Sequence, residues 1–483
     1  MLQRDIELAR ASCVDTYGQR STSTSPFDAY HRSVFGDDPK NVLTNYGFVA
    51  NASFDLDFAM LSSITAFDHT SQGSNDPEGP GLGDRAGAFD VRFDTDINQF
   101  SQEIRLSSPA GARHTWVAGA TLIKNDTRVR EAIQVNFSSF GGASLSTETP
   151  AQTLAGSSAY LEPVTQDAVD IGAFAQVDWS LADRLTLVTG LRGSWYKKTF
   201  TASLDFPGLS FPETEESISQ SSISFRAGLN FKINRDALLY ASVSQGVKPG
   251  GYSVQFILNA NQLPGAKQER LLAYEAGFKG RIAPDLNLNL AGFYYDYDDL
   301  QSLTQVLANG VFTQRFSNIG DARVYGAEGD VSWSPSRALL FRAGATYLDT
   351  RITRSVDIDG NGIAGDVTGN KLQSAPKWSA NWLGRYTASL SSAVDLVVQY
   401  DGSYTGANWR SIDNSPFNYT EASTLHNASI ALASPDDTWE ASAWIRNISD
   451  ERVMAWQFNF GGNMRRSYIP PRTYGLTLSY RFR

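Results

Sequence analysis

A chain of 483 residues is too long for one ordinary globular core, so it divides into domains, stacks repeats or closes as one large barrel; 40 Gly with 27 Phe, 20 Tyr and 10 Trp favour the last two. A formal net charge of −10, with no Lys/Arg-rich run, disfavours a nucleic-acid partner. Cys13 is alone, so no intrachain disulfide is possible, and with only His31, His69, His114 and His426 available a Cys/His metal cluster is disfavoured and no cofactor is expected.

The opening residues Met1–Arg20 carry Arg4, Asp5, Glu7 and Arg10 where an export signal needs an apolar core. Residues 1–44 have little pattern and are expected to be the remnant of a barrel strand and loop, with an N-terminal piece missing. Nowhere does an apolar run approach the ~18 residues of a membrane-crossing helix. The mean hydropathy of −0.29 is also compatible with strands that alternate lipid-facing and lumen-facing residues.

From about Asn45 to Arg483 that alternation dominates. Leu185, Leu187, Leu191 and Trp195 oppose Thr186, Arg192 and Ser194. Val394, Leu396, Val398, Tyr400 and Tyr404 oppose Asp395, Gln399, Asp401 and Ser403. Trp439, Ala441, Ala443 and Ile445 oppose Glu440, Ser442 and Arg446, and at the end Tyr474, Leu476, Leu478, Tyr480 and Phe482 oppose Thr473, Gly475, Thr477, Ser479 and Arg481. Period two over such lengths excludes helix.

Connections alternate as well. Tight turns are expected at 183–184, 234–236, 284–285, 334–337 and 435–437, where Asp, Asn, Pro and Ser concentrate. Between them lie long polar connections at 71–95, 134–164, 204–216, 251–267, 306–318, 355–370, 409–421 and 449–470. Short turns on one side and long loops on the other are the habit of transmembrane barrels. The fold class expected is therefore all-β, an antiparallel transmembrane barrel of about seventeen strands, an odd number that cannot close by antiparallel pairing of first with last.

Several phrases, in order, resemble TonB-dependent outer-membrane receptors: SQEIRL (101–106), WVAGATL (116–122), GAFAQVDWSLADRLTLVTGLR (172–192), LLYASVSQGVKPGGYS (238–253), YEAGFKG (274–280), NIGDARVYGAEGDVSW (318–333), LQSAPKWSANW (372–382) and RNISDERV (446–453). The resemblance implies a barrel of about 22 strands, residence in a Gram-negative outer membrane among its lipids, and uptake of a scarce nutrient such as a ferric siderophore. It further implies energy delivered by TonB through a plug that precedes the barrel and is not read in this sequence. The ending Thr473, Gly475, Leu478, Tyr480 and Phe482 resembles the signal by which the barrel-assembly machinery recognises its clients, although Arg483 follows the terminal aromatic.

Glycines inside strands, such as Gly190, Gly277 and Gly326, are expected to relieve crowding on the concave inner wall. Tyr240, Tyr274 and Trp333 are expected in aromatic girdles. Ligand contacts are expected in the long loops from Trp409, Arg410, Phe417 and Tyr419 and from Trp456, Phe458, Phe460, Arg465 and Arg466, because aromatic faces and guanidinium groups suit planar or anionic chelates. Asp357, Asp359 and Asp366 resemble part of a calcium loop, but Thr368 stands where the closing carboxylate belongs, so a solvated turn is expected and no metal. No nucleophile, base and orienter come together, so catalysis is not expected. Two other functions fit less well: a passive porin-like channel, which would need no plug, and an extracellular β-rich binding protein, which would show blade-like repeats and two-sided connections.

Overall fold

In the computed structural model, the described residues are 40–77, 89–135, 157–160, 164–206, 209–254, 257, 260–308, 311–356, 366–460 and 463–482. The wall opens with β1 (Lys40–Asp55), β2 (Met60–Pro77), β3 (Phe89–Ser107) and β4 (Thr115–Val135), and the short β5 (Ser157–Tyr160) pairs with the outer end of β4. It continues through β6 (Val164–Ala182), β7 (Leu185–Phe206), β8 (Leu209–Lys232), β9 (Ala237–Lys248), β10 (Glu269–Ala283), β11 (Leu286–Ala308), β12 (Val311–Ser336) and β13 (Leu339–Ser355). Next come β14 (Trp378–Ser391), β15 (Val394–Thr405), a small hairpin of β16 (Asn408–Trp409) and β17 (Tyr419–Thr420), then β18 (Ser423–Ala433) and β19 (Trp439–Arg446). A second outer hairpin, β20 (Met454–Phe460) with β21 (Asn463–Tyr468), precedes the last wall strand β22 (Thr473–Tyr480).

One sheet of 18 strands holds all but the two hairpins; without β5 it is a seventeen-strand antiparallel meander, as the alternation predicts. Because the number is odd, β1 and β22 run the same way, and among the described residues each has a single partner, β2 and β19. Unpaired strand edges cannot face hydrocarbon.

Registers fix the faces. On β7, Leu187, Leu191 and Trp195 look outward, and Val188, Arg192, Ser194 and Phe200 look inward. Trp333 packs on Phe341 at the tight-turn level of the outer face, and Tyr274 on Tyr294 nearer the loops. Eight residues separate Trp333 from Tyr325 on the outer side of β12, about 20 Å after strand tilt, which is close to the height of an outer-membrane apolar band. Tyr274 and Trp333 thus occupy girdle positions. Tyr240 does not: it turns into the lumen and donates from its hydroxyl to Glu275 Oε1 at 2.6 Å.

Inside, polar groups pair across neighbouring strands. Arg192 Nη2 donates to Thr121 Oγ1 at 2.9 Å and reaches Asp170 at 3.4 Å. Asn289 Nδ2 donates to Asp330, Arg385 to Gln399, and Asn427 Nδ2 to Asp401 Oδ2.

The expected tight turns are present. Several expected long loops are instead strand: 204–206 and 209–216 continue the β7–β8 ladder, and 311–318 continues β12. Backbone pairing outlasts the apolar band because the polar residues there still alternate across a hairpin. The glycine expectation divides. A Cβ on Gly277 would lie 2.5 Å from the Leu290 carbonyl oxygen and 2.7 Å from the Tyr240 ring, and one on Gly326 would meet the Tyr347 carbonyl and the Phe293 ring; at Gly190 nothing lies closer than 3.7 Å. Gly277→Val should therefore block folding, at a cost above about 3 kcal/mol, seen as loss of the heat-modifiable band after detergent refolding. Gly190→Ala should leave that band unchanged.

Candidate functional site

Three connections on the long-loop side, 366–377, 406–422 and 447–472, are hydrogen-bonded to one another. The backbone at Asn370 pairs with Ile352, since Ile352 N donates to Asn370 O at 2.9 Å and Gly369 N to Ile352 O at 2.8 Å. Asn370 Nδ2 then donates to Ile412 O at 2.9 Å. Asn414, at φ 49°, accepts from Lys371 N at 2.7 Å and returns a bond to Lys371 O at 3.0 Å. Asparagine tolerates this left-handed geometry better than most residues. Beneath lie Ile319, Ile352, Val367 and Ile412, an apolar floor for the loops.

Above the apolar band, Arg354 donates to Asp321 through Nε at 2.6 Å and Nη2 at 2.8 Å, and its guanidinium holds the Asp321 carboxyl below the ordinary carboxylate range. Lys371 Nζ bonds Asp349 at 3.0 Å, tying loop to β13.

The candidate contacts divide by environment. Trp409 meets Tyr419 edge-on, 5.4 Å between centroids, inside the β16–β17 hairpin. Arg410 spends its guanidinium on structure: Nη2 donates to Met454 O at 2.8 Å and Nε to Thr420 Oγ1 at 3.2 Å, joining two loops. Gln457 Nε2 donates to Phe417 O at 2.8 Å and Asn418 Oδ1 at 2.9 Å. That bond brings the β20–β21 hairpin beside Phe417, which is 70% exposed; Trp456, next to Gln457 in the chain, is 51% exposed. Phe458, Phe460, Arg465 and Arg466 pair along the β20–β21 backbone, and their side chains lie outside the described residues.

Asp357 and Asp359 also lie outside them. Asp366 is exposed, and the Thr368 hydroxyl, together with Thr368 N at 2.9 Å, donates to its carboxyl and draws it below the ordinary range. Among the described residues no group of three carboxylate, His or Cys side chains could hold a metal ion.

At the end of the chain, Leu478, Tyr480 and Phe482 stand on the outer face, with Leu478 84% exposed, and Thr473 and Gly475 on the inner. Gly475 is where the Trp444 indole lies, 2.5 Å from the position of a Cβ. Trp444 Nε1 donates to Thr477 Oγ1 at 3.1 Å.

Lower in the lumen, a concavity of about 590 Å³ is lined by Tyr240, Glu275, Lys279, Asn289, Glu328 and Asp330, among others. Three of these are acids and one is a lysine. Sequence reasoning did not single out this surface, because alternation reports a face but not which residues from seven strands converge on it.

An antiparallel wall, apolar outside and polar inside, with tight turns at one end and interlocked loops at the other, defines a transmembrane β-barrel of receptor type. The chain belongs to the TonB dependent receptor-like β-barrel family, which matches residues 7–448. It is 23% identical over 327 residues to the pesticin receptor of Yersinia pestis, covering 64% of this chain and 43% of that protein. To the ferric-pyoverdine M114 receptor PbuA of Pseudomonas sp. (strain M114) it is 27% identical over 328 residues, 66% of this chain and 37% of that one. The crystal structure of the ferric yersiniabactin uptake receptor FyuA from Yersinia pestis superposes with a TM-score of 0.74 at 18% identity, over 91% of this chain and 61% of that one. The chain thus spans about half the length of the curated relatives it matches.

Two outcomes follow. Arg410→Ala should open the join between the two hairpins, destabilising it by about 1–3 kcal/mol and speeding protease cleavage within 411–418, whereas Phe417→Ala should not. A carboxyl whose folded pKa is depressed contributes stability above its unfolded value, lost as pH falls through the folded one. The Asp321–Arg354 clamp should therefore resist cleavage of the 355–372 loop at neutral pH and yield only below about pH 4. Asp321→Asn should be cleaved faster at neutral pH.

Proposed function

We infer that this chain forms the wall and extracellular mouth of a Gram-negative outer-membrane receptor that takes up a ferric chelate by a TonB-dependent route. The observation that carries the reading is the interlocked loop cap over a polar lumen, with Phe417, Tyr419 and Trp456 presented at its rim. Exposed aromatics held by a stitched backbone suit capture of a planar ligand with little ordering cost. The relatives named as receptors for ferric pyoverdine and ferric yersiniabactin support iron as the cargo.

In this reading the long-loop side faces outward and the tight turns face the periplasm. The acidic concavity around Glu275, Glu328 and Asp330 is the inner surface that a plug would meet. TonB would act through that plug, and the ending Thr473 to Phe482 would serve the assembly machinery. A lumen without a plug would instead conduct ions, as a porin-like channel does.

The test is growth and radiolabelled iron uptake under iron limitation, comparing cells that carry the gene, lack it, or lack TonB. Loss of uptake in the last two is expected. Phe417→Ala combined with Trp456→Ala should lower the rate about tenfold, in line with removal of two aromatic anchors. Uptake independent of both the gene and TonB would overturn the assignment.

A further inference from the structure

Between β9 and β10 the described residues 249–254, 257 and 260–267 fold inward against the wall instead of rising from it. Its two ends are fastened by one side chain: Gln301 Nε2 donates to Pro249 O at 3.0 Å and to Lys267 O at 2.8 Å. Asn318 repeats the hold, accepting from Lys267 N at 2.7 Å and donating to Lys267 O at 3.0 Å. Gln301 N in turn donates to the buried Glu269 carboxylate at 2.6 Å. The loop's apolar residues Tyr252, Ile257 and Leu263 pack on Phe200, Leu204 and Phe211 of β7 and β8.

This inward fold places an unusual set of groups together. The Tyr252 ring stacks on Phe200, 4.8 Å between centroids and 12° from parallel. Tyr252 is only 7% exposed, and among the described residues its hydroxyl has no hydrogen-bond partner. A buried hydroxyl without a partner costs free energy. Burial, with the Glu216 carboxylate adding, pushes this phenol up to about 12, so it stays protonated and able to donate a hydrogen bond at any physiological pH.

Beside it, Lys198 Nζ is half-buried, 5.6 Å from the Tyr196 ring centroid and 3.6 Å from where a Cβ on Gly251 would stand. The Phe316 ring lies 3.3 Å from the same Cβ position, with Lys248 Nζ 5.6 Å from its centroid. Among the described residues neither ammonium has a carboxylate within ion-pair distance.

We propose that Lys198, Lys248 and Tyr252, framed by Tyr196 and Phe316, form an inner-wall subsite for the anionic, aromatic arm of a metal chelate. Two ammonium groups supply the charge, Tyr252 donates the hydrogen bond its hydroxyl lacks, and the rings stack on a planar donor group. Glu216, whose carboxylate acts on the Tyr252 phenol, disfavours a ligand of more than one anionic arm here. The assignment rests on the chelate-receptor reading and adds the chemistry of the arm.

The experiment uses the full chain purified in detergent and equilibrium dialysis with two probes: the ferric complex of 2,3-dihydroxybenzoate, anionic and aromatic, and ferrioxamine, cationic and without rings. Wild type should retain the first complex in preference to the second. Lys198→Gln and Tyr252→Phe should each weaken it about tenfold, and Lys198→Arg should restore it to within about threefold. Tyr252→Phe should also unfold no earlier than wild type, since it removes an unpaired hydroxyl, which separates lost binding from lost structure.

Equal retention of the anionic complex by wild type, Lys198→Gln and Tyr252→Phe would overturn the subsite. So would preference for ferrioxamine, or no retention of the anionic complex by folded wild type. None of these touches the receptor reading, which falls only if iron uptake is independent of the gene and of TonB.

Discussion

Hydrocarbon offers no hydrogen bonds, and this single constraint organises the chain. A backbone crossing the membrane as strands must satisfy every N–H and C=O against its neighbours, so the strands pair continuously and in sequence order. Continuous pairing imposes period two, period two puts one face to lipid and one to the lumen, and the lumen face is then free to be polar. The Arg192–Asp170–Thr121 and Asn289–Asp330 contacts are what a polar inner face looks like when neighbouring strands pair their own side chains.

The same pairing continues above the apolar band, and there it serves a different end. Once outside hydrocarbon the strands no longer need to be closed, yet β7, β8, β11 and β12 extend well past the girdle. Their extensions give the loops a floor, with Phe200 and Leu204 beneath the 249–267 fold and Ile319 and Ile352 beneath the 366–372 segment. Loops anchored in this way hold exposed aromatics such as Phe417 at a fixed position. Amide side chains make most of the anchors: Gln301, Asn318, Asn370, Asn414 and Gln457 each hold a carbonyl or N–H of a neighbouring segment.

Those amides are also where reading from sequence stops. Gln301 and Asn414 look like ordinary polar residues in their segments, because their partners lie 34 to 52 and 43 positions away. Arg410 adds a second case, since its guanidinium donates to Met454 O and Thr420 Oγ1, and the sequence around it does not reveal the Met454 partner. Tyr240 was misplaced for a simpler reason. Alternation shows that neighbours face opposite ways but assigns no sign, and a tyrosine is equally at home in a girdle or hydrogen-bonded to a carboxylate in the lumen.

Sequence alone determined the strand order, the tight turns at one end, the long connections at the other and the family, since these follow from local periodicity and turn chemistry that need no distant partner. Only the tertiary structure decided which loops fold inward, which aromatics reach solvent and where Lys198, Tyr252 and Phe316 meet. The strands bearing Lys198 and Phe316 are not neighbours in the sheet, and the Pro249–Lys267 fold between them brings their side chains to a common point. That convergence depends on curvature and on amide bonds across tens of residues, and no pattern confined to neighbouring positions encodes it.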